Sequence, residues 1–203
     1  PKGLTYLLNK TGVTRYNMKT YMNIIPCDIK FKKLRGVIID GEYVTKNVKG
    51  EDIRLFLYFD IYMYPNTPEP VFNMPFLSDM EGGARMDYLL NFEDEYVGNS
   101  EWGDENSIKL IRKTYYHGQS KMGDLILRHS NNILKKEYDY NIDGLIFLPS
   151  NLSVKADSPG EKVTNIAGTW PMNFKWKPVE ENTIDFRVEV RAETSMDHKD
   201  KVI

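Results

Sequence analysis

Two lysines near the end of the chain have the spacing of an anion-binding pair. Lys175 and Lys177 flank Trp176, and on a β-strand residues two apart face the same way. Their ammonium groups would repel each other, which favours an anionic ligand between them, and lysine is a point-charge ligand of phosphate. The alternative is that both lysines lie on the solvated face of an edge strand.

Two carboxylates in the first part of the chain repeat this spacing. Asp40 and Glu42 flank Gly41, so on a strand both side chains would point to one face. The glycine would let a ligand or a neighbouring backbone come close. Two carboxylates on a buried face are costly unless a metal ion, a lysine or a hydrogen-bond donor meets them. Because Asp-Gly is also a common turn pair, a hairpin turn is the alternative.

Three further residues could contribute to a nucleotide site. Phe59 ends an aromatic strand and could stack on a base, a contact of about 1–3 kcal/mol, although most phenylalanines are core residues. Asp143 could hold a divalent cation through its oxygens, although Asp143-Gly144 also fits a turn. Asp185 could orient a lysine or a water molecule.

Strands are the main elements that would position these residues. Asn47 and Gly50 predict a hairpin connection within residues 45–54, and the polar residues 151–169, with Pro159-Gly160, predict a long exposed loop. Apolar and β-branched runs predict strands at residues 4–8, 37–39 with a continuation through 43–44, 55–62, 144–148, 174–177 and 183–190.

Three segments show helical spacing of their apolar residues. In residues 82–92 the spacing places Met86, Leu89 and Leu90 on one face, with Arg85 and Asp87 off it. Residues 107–112 predict a shorter helix. Residues 121–138 predict the clearest one, with a core face of Met122, Leu125, Leu127, Ile133 and Leu134. Because strands outnumber helices without strict alternation, we expect an α+β fold of mainly antiparallel sheets with flanking helices.

The composition limits the classes of protein to consider. The chain has 203 residues with 41% hydrophobic content and a net charge of -2, which fits one folded domain and argues against stable coating of nucleic acid. One cysteine excludes an internal disulfide and fits a reducing compartment. No signal peptide or membrane-spanning run is evident, and the scattered histidines give no zinc pattern.

Four segments, in their order along the chain, resemble the covalent nucleotidyltransferases. The segments are Asp40-Gly41-Glu42, Phe59-Asp60, Ile142-Asp143-Gly144-Leu145-Ile146 and Lys175-Trp176-Lys177-Pro178. That superfamily contains the mRNA capping guanylyltransferases and the ATP-dependent DNA and RNA ligases, and the resemblance implies their ATP-grasp-like, DNA ligase-type domain. Residues 174–186, FKWKPVEENTIDF, look most like the capping enzymes of large cytoplasmic DNA viruses.

The resemblance also implies how the chain is organised. Residues 1–186 would form the nucleotidyltransferase domain, incomplete at its N-terminus, and residues 187–203 would lead toward a missing OB-fold domain. The family signature Lys-x-Asp-Gly contains the nucleophilic lysine, whereas this chain begins Pro1-Lys2-Gly3. Either two residues are missing after Lys2, or the nucleophile lay upstream, or the copy is degenerate. Under the first reading Lys2 is the nucleophile, and Arg15 is a candidate for the ribose contact.

The family reaction assigns roles to the remaining residues. A lysine attacks the α-phosphate of GTP, and the resulting lysyl-GMP passes to the 5′-diphosphate end of RNA. By resemblance, Glu42 and Asp143 would lie near the sugar and a Mg²⁺ or Mn²⁺ ion, and Phe59 would stack on guanine. Lys175 and Lys177 would neutralise the α-phosphate, with support from Asp185.

The same resemblance implies partners and leaves alternatives open. The expected partners are GTP, the 5′ end of RNA and other capping domains of the parent protein, a triphosphatase and a methyltransferase, with no membrane and a cytoplasmic or virion location. Without the OB-fold domain we expect weak activity at most. The alternatives are the adenylation domain of an ATP-dependent RNA or DNA ligase, and an inactive module that binds a nucleotide or a cap.

Overall fold

The computed structural model describes residues 5–7, 25–27, 36–97, 108–118, 124–181 and 183, with the main chain alone at 5–7, 25–27 and 181. The predictions for Lys2, Arg15 and Asp185 lie outside these ranges, as do residues 187–203. The strands are β1 Thr5–Leu7, β2 Ile25–Cys27, β3 Ile38–Lys46, β4 Asp52–Met63, β5 Lys109–Arg112, β6 Leu145–Phe147 and β7 Phe174–Trp176. The α-helices are α1 Arg85–Phe92 and α2 Asp124–Lys135.

Strands β3 and β4 form an antiparallel hairpin, as the sequence predicts. Their connection is closed by Asn47, whose Oδ1 accepts the backbone N–H groups of Lys49 and Glu51 at 2.9 Å each. Gly50 adopts φ +80° in this turn, a conformation that suits glycine. Asp40 and Gly41 lie inside β3, so the hairpin-turn reading of this pair is excluded.

The prediction of a helix over residues 107–112 is wrong, because this segment contains strand β5. Strand β5 runs parallel to β4, with Leu55 opposite Lys109 and Tyr58 opposite Arg112. Buried Leu110 alternates with exposed Lys109 and Ile111, which is the two-residue period of a strand. A run this short cannot distinguish the helical from the strand period.

Helix α1 begins at Arg85, three residues later than predicted, and packs on β4 through Leu89 and Phe92. The carboxylate of Asp87 accepts the backbone N–H of Ala84 at 3.2 Å and so caps the first turn. Arg85, which the spacing placed off the apolar face, is fully buried, and Leu90, which it placed on that face, is exposed. The main cluster of buried core residues comprises Phe56, Tyr58, Ile61, Val71, Met74, Phe76, Leu89, Phe92, Ile108 and Leu110.

Helix α2 occupies much of the segment for which a helix was predicted, but its predicted core face is wrong. None of its residues is buried. Leu127 is 66% exposed and Leu134 is 38% exposed, while Leu125 and Ile133 are half-buried. Met122 lies outside the described residues.

Strands β6 and β7 form a separate antiparallel pair in which Leu145 lies opposite Trp176 and Phe147 opposite Phe174. The predicted loop between them is confirmed, because residues 151–169 contain no helix or strand. It is not exposed throughout, since Leu152, Ser153, Val154 and Ala156 are buried. Asn73, between β4 and α1, holds the loop from outside, because its carbonyl accepts a hydrogen bond from the hydroxyl of Ser153 at 2.8 Å.

The described residues thus combine helices with small sheets, in the orders β1-β2, β3-β4-β5 and β6-β7. Of the strand pairs in these sheets, only β4 with β5 is parallel. Neither α1 nor α2 has the length and apolar composition that crossing a bilayer requires. The nucleotidyltransferase fold itself stays a prediction.

Candidate functional site

Glu42 and Phe59 are brought together by a lysine that sequence reasoning missed. Lys113 follows β5, and its backbone N–H donates to the carbonyl of Tyr58 at 2.8 Å. Its ammonium group lies 2.9 Å from the Glu42 carboxylate and 5.4 Å from the centroid of the Phe59 ring. Both contacts are within the range of an ion pair and of a cation–π interaction. The only signal for Lys113 in the sequence is a cation just beyond a short strand, next to Arg112, and one sequence does not distinguish it from a surface lysine.

Asp143 and Lys177 form a second ion pair, with 2.6 Å between the carboxylate and the ammonium group. The hydrogen bond from Lys177 lowers the pKa of Asp143 below its ordinary value, against the opposing effect of burial. The charge of Lys113 is a further, smaller cause that lowers the same pKa. The charge of Lys113 thus links the two ion pairs, of which one holds Glu42 beside Phe59 and the other joins Asp143 to Lys177.

Phe59 occupies an irregular position in its strand. Asp40 pairs with Asp60 and Gly41 pairs with Tyr58, so Phe59 is an extra residue of β4 without a partner on β3. Such a β-bulge bends the strand and redirects the side chain. Phe59 is half-buried and does not belong to the main core cluster or its packed neighbours. The alternative that Phe59 is a core residue is therefore not supported.

The two lysines of the predicted pair have different surroundings. Lys175 is exposed on β7 opposite Ile146, and no ion pair among the described residues involves it. Lys177, directly after β7, is already paired with Asp143. The prediction of two unneutralised cations that repel each other is therefore wrong for Lys177.

Asp40 and Glu42 also have different partners. The register shift between Asp40 and Gly41 comes from the extra residue Phe59 of β4, so it does not itself interrupt the alternation of side chains along β3. Asp40 accepts hydrogen bonds from the Tyr62 hydroxyl and from the backbone N–H of Gly41. A Cβ atom at Gly41 would lie 2.6 Å from the Phe56 ring, so the protein itself makes the close approach that the glycine permits.

The predicted metal ligands have suitable chemistry but do not form a complete site. Glu42 and Asp143 offer carboxylate oxygens, which Mg²⁺ prefers. Each of them is neutralised by a lysine, and the described ranges contain no group of three histidine, cysteine or acidic residues arranged to hold a metal ion. Since Mg²⁺ commonly takes one or two carboxylates together with phosphate oxygens and waters, these residues fit a metal that arrives with a phosphate ligand.

A buried ion pair between Asp60 and Arg85 is the other feature that sequence reasoning missed. The guanidinium Nε lies 2.7 Å from the Asp60 carboxylate, and Nη1 donates to the carbonyls of Met74 at 2.6 Å and Leu152 at 3.0 Å. Arg85 therefore ties β4 to the loop that follows β6. One aspartate inside an otherwise apolar aromatic strand was the available signal, because a buried carboxylate needs a cation.

Comparison with known proteins gives one distant similarity. The chain is 25% identical, over 211 aligned positions, to a protein of Acanthamoeba polyphaga mimivirus described as a probable mRNA-capping enzyme. The alignment covers 81% of this chain and 16% of that protein. No protein-family model and no solved structure matches the chain. The chain is thus distantly similar to a probable capping enzyme, over about a sixth of that protein's length.

Proposed function

We propose that this chain contributes the nucleotide-binding part of an mRNA guanylyltransferase, which transfers GMP from GTP to the 5′-diphosphate end of RNA. Two independent facts support the proposal. The first is the distant similarity to a probable mRNA-capping enzyme. The second, which carries it, is that Lys113 contacts both Glu42 and Phe59 and that the Asp143–Lys177 ion pair lies near enough for the charge of Lys113 to affect the pKa of Asp143, although these residues are far apart in the sequence.

The cluster has the chemical groups that a nucleoside triphosphate requires. An aromatic ring can stack on a base, and ammonium groups can neutralise phosphate oxygens. The pairs Glu42–Lys113 and Asp143–Lys177 have side chains between 31% and 69% exposed, so little free energy is needed to open them. We therefore expect Lys177 to exchange its carboxylate partner for a phosphate when a nucleotide binds.

Lys113 restricts how a base can stack on Phe59. Its ammonium group lies near the ring, at 5.4 Å from the centroid, and is held by Glu42. A base that stacks on the same face of the ring must displace this ammonium group. Lys113 therefore favours stacking of the base on the opposite face of the Phe59 ring. A base that stacks on the same face as Lys113 loses the free energy of the cation–π contact that it displaces.

The reaction proceeds in two displacements at the α-phosphorus. A neutral lysine amine, for which Lys2 is the candidate, forms a P–N bond as the bond to the β-phosphate oxygen breaks, and the amine gives up a proton as pyrophosphate leaves. A terminal oxygen of the RNA diphosphate then forms a new P–O bond, and the P–N bond breaks to restore the lysine. Lys175 and Lys177 stabilise charge that develops on the α-phosphate, and Asp185 supports the two lysines.

A divalent metal, Mg²⁺ or Mn²⁺, would be held by Asp143 and Glu42 and would supply further neutralisation of the phosphate oxygens. Glu42 and Asp143 would be free to bind the metal ion only after Lys113 and Lys177 have left them to contact the phosphate oxygens. Lys113 and Lys177 would thus exchange a carboxylate for a phosphate oxygen, and Glu42 and Asp143 would then hold the metal ion.

Labelling with α-³²P nucleotides tests the proposal. The chain is incubated with labelled GTP or ATP and Mg²⁺ and then separated on a denaturing gel, where a covalent GMP adduct retains the label. We expect GTP to label the protein, and Lys177→Met to reduce the labelling at least about tenfold, because one charge-assisted phosphate contact is lost. Lys162→Met is the matched control, since Lys162 forms an exposed ion pair with Glu69 outside the cluster.

The other outcomes identify the alternatives. Labelling by ATP in place of GTP would indicate a ligase-type adenylation domain. Nucleotide binding without an acid-labile label, unchanged by Lys2→Ala, would indicate a non-catalytic module. Equal labelling of the Lys177→Met variant and the unsubstituted protein would contradict the role of the cluster.

A further inference from the structure

Tyr115 makes a hydrogen bond to the main chain of the candidate stacking residue. Its hydroxyl donates to the carbonyl oxygen of Phe59 at 2.6 Å. The two residues lie on different parts of the chain, with Phe59 in β4 and Tyr115 beyond the end of β5. Tyr115 therefore constrains the backbone of Phe59 from outside the strand.

The position of Phe59 explains why this constraint is needed. As the extra residue of the bulge, Phe59 has no partner on β3, and the pairing of β4 with β5 ends at Tyr58 and Arg112. A bulged residue is not held by the regular ladder, so its orientation depends on other contacts. The Tyr115 hydroxyl supplies a hydrogen bond at a residue that has no register partner on β3 or β5.

Tyr115 is itself held in place by the core. Its ring packs on Phe76, with centroids 4.5 Å apart, and Phe76 is 3% exposed and also lies beneath the guanidinium group of Arg85. Burial raises the pKa of the Tyr115 hydroxyl, so it stays protonated and remains a donor at neutral pH. A fixed ring with a permanent donor is suited to set the position of a neighbouring carbonyl.

We propose that Tyr115 is a positioning residue for base stacking, which acts by fixing Phe59 at the β-bulge. This inference rests on the proposed nucleotide site. It predicts that the Tyr115 hydroxyl contributes to the binding of the base and contributes nothing to the binding of the triphosphate.

The test compares ligands with and without a base. The affinities of the full chain for GTP and for ribose 5-triphosphate, which lacks a base, are measured by calorimetry with Mg²⁺ present. Tyr115→Phe removes only the hydroxyl, and we expect it to weaken GTP binding about two- to tenfold, the range for one neutral hydrogen bond. Affinity for ribose 5-triphosphate should not change.

Two further variants separate positioning from general stability. In a Phe59→Ala background, Tyr115→Phe should have no additional effect on GTP affinity, because its effect passes through the missing ring. Tyr64→Phe is the matched control, since the Tyr64 hydroxyl donates to Glu95 away from Phe59 and its loss should leave both affinities unchanged.

Each outcome decides a separate question. Failure of the unsubstituted protein to bind GTP would overturn the proposed function and this inference with it. GTP binding that is stronger than ribose 5-triphosphate binding, but unaffected by Tyr115→Phe, would overturn the positioning role alone. Equal losses for both ligands would show that Tyr115 supports the fold and not the base.

Discussion

Breaking an ion pair has very different consequences at different places in this protein. Glu42–Lys113 and Asp143–Lys177 are partly exposed, and such pairs contribute about 0–1 kcal/mol because water competes for the same charges. Asp60–Arg85 has side-chain exposures of 8% and 0%, so its charges have very little access to bulk water. The exposed pairs can rearrange around a ligand, whereas the buried pair is part of the fold.

Removing one charge of the buried pair should therefore destabilise the protein strongly. We expect Asp60→Asn to lower the free energy of unfolding by about 3–5 kcal/mol, because the Arg85 guanidinium group is left buried and uncompensated. Urea denaturation followed by circular dichroism measures the change. The control is Glu69→Gln, which removes the exposed partner of Lys162 and should cost less than about 1 kcal/mol. Similar losses in the two variants would refute the distinction.

The pKa of Asp143 gives a test of the link between the two exposed pairs. Lys177 is the largest cause that lowers the pKa of Asp143, and Lys113 is a smaller one. The Lys177→Met substitution should therefore raise this pKa more than Lys113→Met does. Titration of the ¹³C carboxyl signal measures both changes, and Lys46→Met, which removes the partner of Asp52, should leave Asp143 unaffected. If Lys113→Met has no effect on Asp143, the two ion pairs are independent.

The sign of the pH dependence follows from the direction of this shift. A carboxylate with a lowered pKa in the folded state stabilises the protein above its ordinary pKa, and that contribution is lost as the pH falls through the folded value. In the Lys177→Met variant the largest part of this contribution should be absent at every pH. Because Asp143 is 69% exposed, the difference in stability will be small, and the titration is the more sensitive measurement.

Residue types and spacing selected the residues of the candidate site before the structure, and their role stays a prediction. Glu42, Phe59, Asp143 and Lys177 come from four separate segments, and the structure joins the first two through Lys113 and the last two in an ion pair. Lys113 could not be predicted, because its place beside Phe59 depends on the parallel pairing of β5 with β4. No local pattern in a single sequence specifies a pairing between strands so far apart.

At the scale of elements, the pairing of β6 with β7 brings Asp143 and Lys177 within contact. Gly144 lies between Asp143 and β6 with φ +149°, and a Cβ atom there would be 2.0 Å from the carbonyl oxygen of Trp176. Only a residue without a side chain permits this approach. The glycine of the Asp-Gly pair is therefore required by the neighbouring strand, which the turn interpretation of the sequence did not anticipate.

Substitution at Gly144 should disrupt this arrangement. We expect Gly144→Ala to destabilise the protein by about 1–3 kcal/mol more than Gly50→Ala, because both glycines have positive φ but the Cβ at Gly50 meets nothing within 4 Å. Chemical denaturation of both variants gives the difference. Loss of the lowered Asp143 pKa in Gly144→Ala would show that the ion pair with Lys177 separates along with the strands.

The elements themselves were predicted unevenly. The β3–β4 hairpin was predicted because Asn47 and Gly50 are strong turn residues between alternating runs. Strand β5 was mistaken for a helix, since four residues contain little periodicity and its partner is distant in sequence. For α2 the helical period was correct, but amphipathicity does not show whether a partner covers the apolar face.

At the scale of the whole molecule, the described residues divide into a packed and a loosely packed part. Strand β4 and helix α1 contribute Tyr58, Ile61 and Leu89 to the core, each with no exposed surface. Helix α2 has no buried residue, and β7 is exposed at all three of its positions. The candidate site contains residues of both parts. Glu42, Phe59 and Lys113 are supported by the β3-β4-β5 sheet, whereas Lys177 follows β7.

This division predicts the order of local stability. Regions with few buried apolar contacts open at low free energy, so the amide protons of α2 should exchange with solvent much faster than those of β4 in native-state hydrogen exchange.

Leu89→Ala should lower the free energy of unfolding by about 2–5 kcal/mol and speed exchange throughout β4, because it leaves a cavity in the core. The matched substitution Leu127→Ala should cost under about 1 kcal/mol, since that side chain is 66% exposed. Equal protection of the α2 and β4 amide protons from exchange would contradict this order of stability. A loss of several kcal/mol in the free energy of unfolding of Leu127→Ala would do the same, because an exposed side chain should contribute little.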